Sequence, residues 1–182
     1  MKAIIGIDIG DSPIISVVEQ SIRIGLTALG KDGKIILLSE GVLTITESSM
    51  NIAWHNIYKH IGLVECLTDS VVFLDLPPRP NVKHAFYKGV IYHWLLSQGV
   101  KSINFVDSQI WRQVMGSPWP DKQDYNLWHS FENALGEQER IWIDKLLPGE
   151  CYHKAYEYIR NAYHIARYGE SVLKTEGRKN YE

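Results

Sequence analysis

The chain has 182 residues, 45% of them hydrophobic, enough for the core of one ordinary domain. Its 19 Lys and Arg nearly offset its 21 Asp and Glu, and a formal charge of −2 on so apolar a chain excludes wholesale disorder. The same balance argues against nucleic-acid binding through bulk positive charge, so any such contact must come from local clusters.

No apolar run approaches the roughly 20 residues of a membrane span, and the N-terminus lacks a basic region followed by an apolar run and a cleavage site. The expectation is a soluble, unexported protein without membrane partners. Cys66 and Cys151 stand alone without CxxC spacing, which reads as two buried thiols rather than a disulfide framework or zinc ribbon.

In chain order, AIIGIDIG at 3–10 is an isoleucine-rich run with one acid, Asp8, the pattern of a buried strand. Residues 11–21 form either an extension of that strand or a loop. Extended runs at 22–29 and 34–38 flank Gly30-Lys31-Asp32-Gly33, a hairpin signal that makes the first three strands antiparallel neighbours. Ile52, Trp54, Ile57, Ile61 and Val64 follow cap candidates at 46–49, mostly at spacings of three and four, and predict a first long helix.

The run 71–76 predicts a strand stopped by Pro77-Pro78, and a helix from Val82 to about Gln98 and a strand at 101–106 complete a parallel crossover. Asp107 or Ser108 caps a short helix to Met115, with Gly116 ending it. Helices at 125–135 and 137–146 follow, then a long one from about Glu150 to Leu173. The domain thus spans 1–173, and 174–182 is a polar tail that frays.

An aspartate inside an apolar strand is costly unless paired, hydrogen-bonded or metal-bound. Two such residues, Asp8 and Asp75, lie on strands that the crossover can make neighbours, where both carboxylates would meet a hard cation. On the last helix, His153, Glu157, Asn161 and His164 share a stripe opposite Ala155, Ile159, Ala162 and Ala166. None of the seven histidines belongs to an HExxH motif or a two-cysteine set, so they read as core or surface residues, His164 excepted.

AIIGIDIG at 3–10, VVFLD at 71–75 and RNAYHIARYG at 160–169 resemble, in order and interval, the acidic strands and terminal helix of RuvC-like Holliday junction resolvases. NVKHAFYKGVIYHWLL and INFVDSQIWRQVMG resemble the segments between, the latter with the Trp-Lys/Arg pair of phage members. The resemblance implies an α/β, ribonuclease H-like mixed five-stranded sheet with flanking helices. It also implies a homodimer that nicks four-way DNA junctions with two Mg²⁺ or Mn²⁺ ions, in the nucleoid or a phage-infected cell.

Carried over residue by residue, the catalytic and metal-binding set is Asp8, Asp75, Glu157 and Asn161. Asp75 stands where the family more often has Glu. Asn161 stands where it usually has Asp and Tyr158 where it has Asp or His, so Glu157, one turn before Asn161, becomes the substitute. Lys122 or Lys154 would supply a site lysine.

Asn161 leaves the second ion one negative charge short. A unit-charge contact near 4 Å is of order 4 kcal/mol at an effective dielectric of 20, so poor cleavage is expected. Either an inactivating Asp→Asn change or a natural junction binder that does not cut accounts for it.

The DNA-binding candidates are Arg79, Lys83 and Lys88 after the second acidic strand, Arg112 in the short helix, and Lys154, Arg160 and Arg167 flanking the stripe. Trp119, Phe86 and Tyr87 are candidates to wedge into an opened junction. The apolar helix after Val82 suits packing on a twin subunit. Two other readings stay open: a non-cleaving junction-binding protein of the same fold, and an actin- or sugar-kinase-like phosphotransferase, which IDIG also fits.

Overall fold

The computed structural model describes residues 3–10, 20–46, 50–60, 62–76, 82–146 and 157–179. Among these, six strands form one mixed sheet: β1 (Ile4–Gly10), β2 (Gln20–Leu29), β3 (Ile35–Ile45), β4 (Met50–Lys59), β5 (Val71–Leu76) and β6 (Ser102–Asp107). Their order is β4-β3-β2-β1-β5-β6. β1 to β4 pair antiparallel in succession, and β5 and β6 add in parallel on the other side of β1.

Six described helices accompany the sheet: α1 (Leu63–Leu67), α2 (Val82–Ser97), α3 (Ser108–Met115), α4 (Pro120–Ala134), α5 (Glu137–Leu146) and α6 (Glu157–Lys179). Side-chain alternation on the strands divides the core in two. Ile5, Ile7 and Ile9 pack with Val72, Leu74 and the α2 residues Tyr87, Ile91 and Leu95. On the opposite face Ile4, Phe73 and Val106 pack with Trp111, Phe131, Ile159 and Ala166, so α3 to α6 cover that side.

The hairpin between β2 and β3 has its expected chemistry. Gly33 holds φ +77, and the amides of Gly30 and Gly33 donate to the carbonyls of Lys34 and Gly30 at 2.8 and 3.0 Å. At the start of α3 the Asp107 side chain accepts from the Gln109 amide at 2.7 Å, and Gly116 closes that helix.

The long helix expected after residue 46 is a strand instead, and only Leu63–Leu67 of that stretch is helical. β4 pairs along β3 with a bulge: Gly41 faces Trp54 while Glu40 faces Asn56. The extra residue, His55, resets the alternation so that Ile52, Trp54 and Ile57 all stand on one face. An interval of two followed by one of three imitates helical spacing. The five-stranded expectation therefore becomes six, with β4 as an added edge. The last helix also runs to Lys179 rather than ending at Leu173.

α6 lies almost on the backbone of β1 and β2. A Cβ on Gly6 would overlap the Ala162 carbonyl oxygen, and one on Gly25 would overlap the main chain of Tyr158. Thr27 ties the same seam, its hydroxyl donating to the Ile159 carbonyl at 3.1 Å. This close approach fixes which α6 residue meets the end of β1.

Candidate functional site

β1 and β5 pair in parallel from Ile4 with Val71 to Ile7 with Leu74, so Asp8 and Asp75 are the next residue on each strand. Adjacent strands run about 4.8 Å apart, and both aspartates fall on the α6 face. Both are buried. The expected convergence of the two acids is what the register delivers.

Each carboxylate has its own support. Asp8 Oδ2 accepts from Asn161 Nδ2 of α6 at 2.9 Å. Asp75 accepts from the Ser108 hydroxyl at 2.7 and 2.8 Å and from the Trp111 indole at 2.7 Å, both on α3. From α2, on the far side of the sheet, the Nζ of the buried Lys88 donates to the Asp75 main-chain carbonyl.

Burial, reinforced by the neighbouring Asp75, raises Asp8 from 3.8 to about 7, against the opposing Asn161 hydrogen bond and Arg112. Burial lowers Lys88 from 10.5 to about 8, although both aspartates favour its charge. The site is thus an acid pair short of positive charge, with one lysine set against it.

A second cluster adjoins the first. Arg160 is buried, and its Nη2 lies 3.3 Å from Asn161 Oδ1 and 4.0 Å from Glu157. Arg160 Nη2 and Arg112 Nη1 approach one oxygen, Oδ1 of Asp124, at 3.5 and 3.4 Å. Arg112 also stacks over Trp111, its guanidinium carbon 4.7 Å from the ring centroid.

The predicted site residues therefore divide. Asp8, Asp75 and Asn161 come together. Glu157 stands at the rim, ion-paired with Arg160; Asp8 feels it only weakly.

Lys88 and Arg160, expected as surface phosphate contacts, are both buried: Lys88 faces the buried Asp75, and Arg160 faces the more exposed Asp124 and Glu157. Among the described residues Lys88 is the lysine at the acid pair, and Lys122 is exposed on α4. Lys83 lies in the first turn of α2. Arg79 and Lys154 lie outside the described residues, as do His153 and Cys151. Arg167 pairs with Glu170 at 2.5 Å beside Gly33, at the hairpin end of the sheet and away from the acids.

His164 belongs to the core, not the site: its Nε2 donates to the Leu127 carbonyl at 2.7 Å, and burial lowers it to about 4. Tyr87 is core as well, while Phe86 and Trp119 are exposed.

Sequence reasoning missed Trp111 and Ser108 as partners of Asp75, and Asp124 altogether. Ser108 entered only as a cap candidate, a role Asp107 takes. The signal available for Trp111 was its place beside Arg112 in the segment after β6.

Among the described residues no three His, Cys, Asp or Glu side chains form a metal cage. The donor chemistry nevertheless suits one hard cation. Two adjacent buried carboxylates, one of them raised by burial and then by its neighbour, are the oxygen pair that Mg²⁺ takes beside retained waters. No family model and no curated protein matches the chain. No described helix is long and apolar enough to cross a membrane.

Proposed function

We propose that this chain is a ribonuclease H-like, RuvC-like nuclease domain that engages four-way DNA junctions, with metal-dependent nicking held low by Asn161. The observation that carries the reading is the in-register Asp8–Asp75 pair with an α6 amide on Asp8. The strand order β3-β2-β1-β5-β6, with β5 and β6 parallel to β1, supports the fold assignment, β4 being an edge addition.

In this reading Asp8 and Asp75 hold Mg²⁺ or Mn²⁺, which would activate water and stabilise charge growing on the phosphoryl oxygens. Ser108 and Trp111 fix the Asp75 carboxylate, and Asn161 fixes that of Asp8. A second ion needs another anionic ligand, which Glu157 would supply by leaving Arg160. A homodimer belongs to the reading. Phe86, Tyr92 and Leu96 of α2 are exposed, as is Phe105 on the edge strand β6, and the Tyr92 and Phe105 rings stack at 5.8 Å. Sedimentation at micromolar concentration should give a dimer, and a monomer there counts against that part.

The decisive experiment incubates a synthetic four-way junction with Mn²⁺ and three proteins. Asn161→Asp should nick faster than the wild type, and Asp8→Asn should not nick at all. Equal rates for all three would defeat the assignment.

One observation favours a second reading, a junction binder that does not cut: Asn161 gives Asp8 a hydrogen-bond partner without any ion. Tight junction binding with no metal-dependent nicking, even in Asn161→Asp, would identify it. ATP binding without junction binding would instead revive the phosphotransferase reading.

A further inference from the structure

We infer that Arg112 and Arg160 form a seat for one phosphodiester of a nucleic-acid strand, and that Asp124 occupies this seat as a displaceable anionic plug. The inference rests on the nuclease reading for the identity of the strand. Its geometry comes from three helices: Arg112 on α3, Asp124 on α4 and Arg160 on α6.

Both guanidinium groups approach the same carboxylate oxygen, at 3.4 and 3.5 Å. The arginines are the covered members and the aspartate the exposed one, with side-chain exposures of 27% for Arg112, 7% for Arg160 and 76% for Asp124. A buried and a half-buried cation, answered by a carboxylate that leans in from solvent, are arranged to receive an anion from outside. Asp124 is already mostly solvated, so its own return to water costs little, and the buried Arg160 charge it leaves behind is what favours an incoming anion.

Asp124 also serves the pair poorly. It shares one oxygen between two arginines, and the buried Nε of Arg160 has no hydrogen-bond partner among the described residues. A phosphodiester brings two non-bridging oxygens, matched to the guanidinium fork.

Position selects a nucleic-acid strand as the occupant. Arg112 follows Trp111, which binds Asp75, and Arg160 precedes Asn161, which binds Asp8. A phosphate seated here is one residue from each support of the acid pair, so the strand carrying it runs past those acids.

The test uses Asp124→Asn, a substitution at an exposed position, with a fluorescent four-way junction in EDTA and, separately, inorganic phosphate as probes. The variant should bind the junction roughly three- to tenfold more tightly than wild type, and its logarithmic salt dependence should steepen by about 0.9, the increment of one more phosphate contact. Arg112→Gln in the Asp124→Asn background should erase both gains.

Unchanged affinity and salt slope in Asp124→Asn, with the wild type binding normally, would overturn the plug and leave the nuclease reading standing. A gain that survives Arg112→Gln would mean a general charge effect and overturn the seat. If neither protein binds the junction while phosphate raises the melting temperature of Asp124→Asn alone, the seat takes free phosphate, and both the strand assignment and the nuclease reading fall.

Discussion

Gly6 and Asp8 are two residues apart on one strand, face the same helix and are both covered, yet they meet it in opposite ways. At Gly6 the contact is dry and made of shape, backbone against the backbone of Ala162. At Asp8 it is polar and electrostatically unfavourable, a carboxylate raised to about 7 by burial and by Asp75. The first contact contributes packing and needs nothing further. The second costs stability and is held in place by the first, the relation expected where a scaffold carries a site.

The comparison breaks most completely at the dry contact. Gly6→Val inserts a branched side chain where even one carbon overlaps the α6 main chain, and neither backbone can retreat without parting the sheet from its longest helix. Overpacking typically costs about 1–3 kcal/mol when side chains can give way, and more where only backbone is available. Gly6→Val should therefore yield no cooperatively folded protein by circular dichroism. A melt within a few degrees of wild type would show that the seam does not fix α6.

The polar contact is sharpened by Asn161→Asp. The change replaces the 2.9 Å donation to Asp8 with a third carboxylate at the acid pair. Without metal the melting temperature should fall, since a like charge enters a buried site. Mn²⁺ should recover it, with affinity at least about tenfold above wild type, because a further anion near 4 Å from a divalent ion is worth several kcal/mol before relaxation. Calorimetric titration measures both proteins, and equal Mn²⁺ affinity would remove Asn161 from the site's electrostatics.

The sequence disclosed what short-range pattern encodes. Asp8 was visible because an acid interrupts an isoleucine run, and the hairpin at 30–33 because Asp-Gly favours a tight turn. The β5-α2-β6 crossover was visible because Pro77-Pro78 and Gly99 punctuate it. β4 was not, because one bulged residue, His55, converted alternation into apparent helical spacing.

The α6 stripe misled for a different reason. The sheet covers one side of that helix and α3 and α4 cover another, so Arg160, Asn161 and His164 are as buried as Ile159 and Ala162. Angular position on a helical wheel cannot separate a site wall from a core wall when neither faces water. Asp124, Lys88 and Trp111 were illegible as partners because each meets its counterpart only through the tertiary path of a different helix.

The smallest expected effect concerns acid stability, where Asp8 and His164 pull in opposite directions. Asp8 is raised from 3.8 to about 7, so the folded state holds a proton the unfolded state has lost, and this group makes stability fall as pH rises between those values. His164 is lowered from 6.5 to about 4, so the unfolded state takes up a proton the folded state refuses, and stability falls as pH drops through that range. Between pH 4 and 6.5 the two slopes offset each other in the wild type. Lys88, lowered to about 8, acts only above that window. Asp8→Asn removes one slope and exposes the other, so on going from pH 6.5 to 4.5 its melting temperature should drop roughly 3–6 °C more than that of the wild type. Parallel melting curves for the two proteins would mean that the buried acid at the end of β1 ionises at its ordinary value, and that the contrast between Gly6 and Asp8 is one of shape alone.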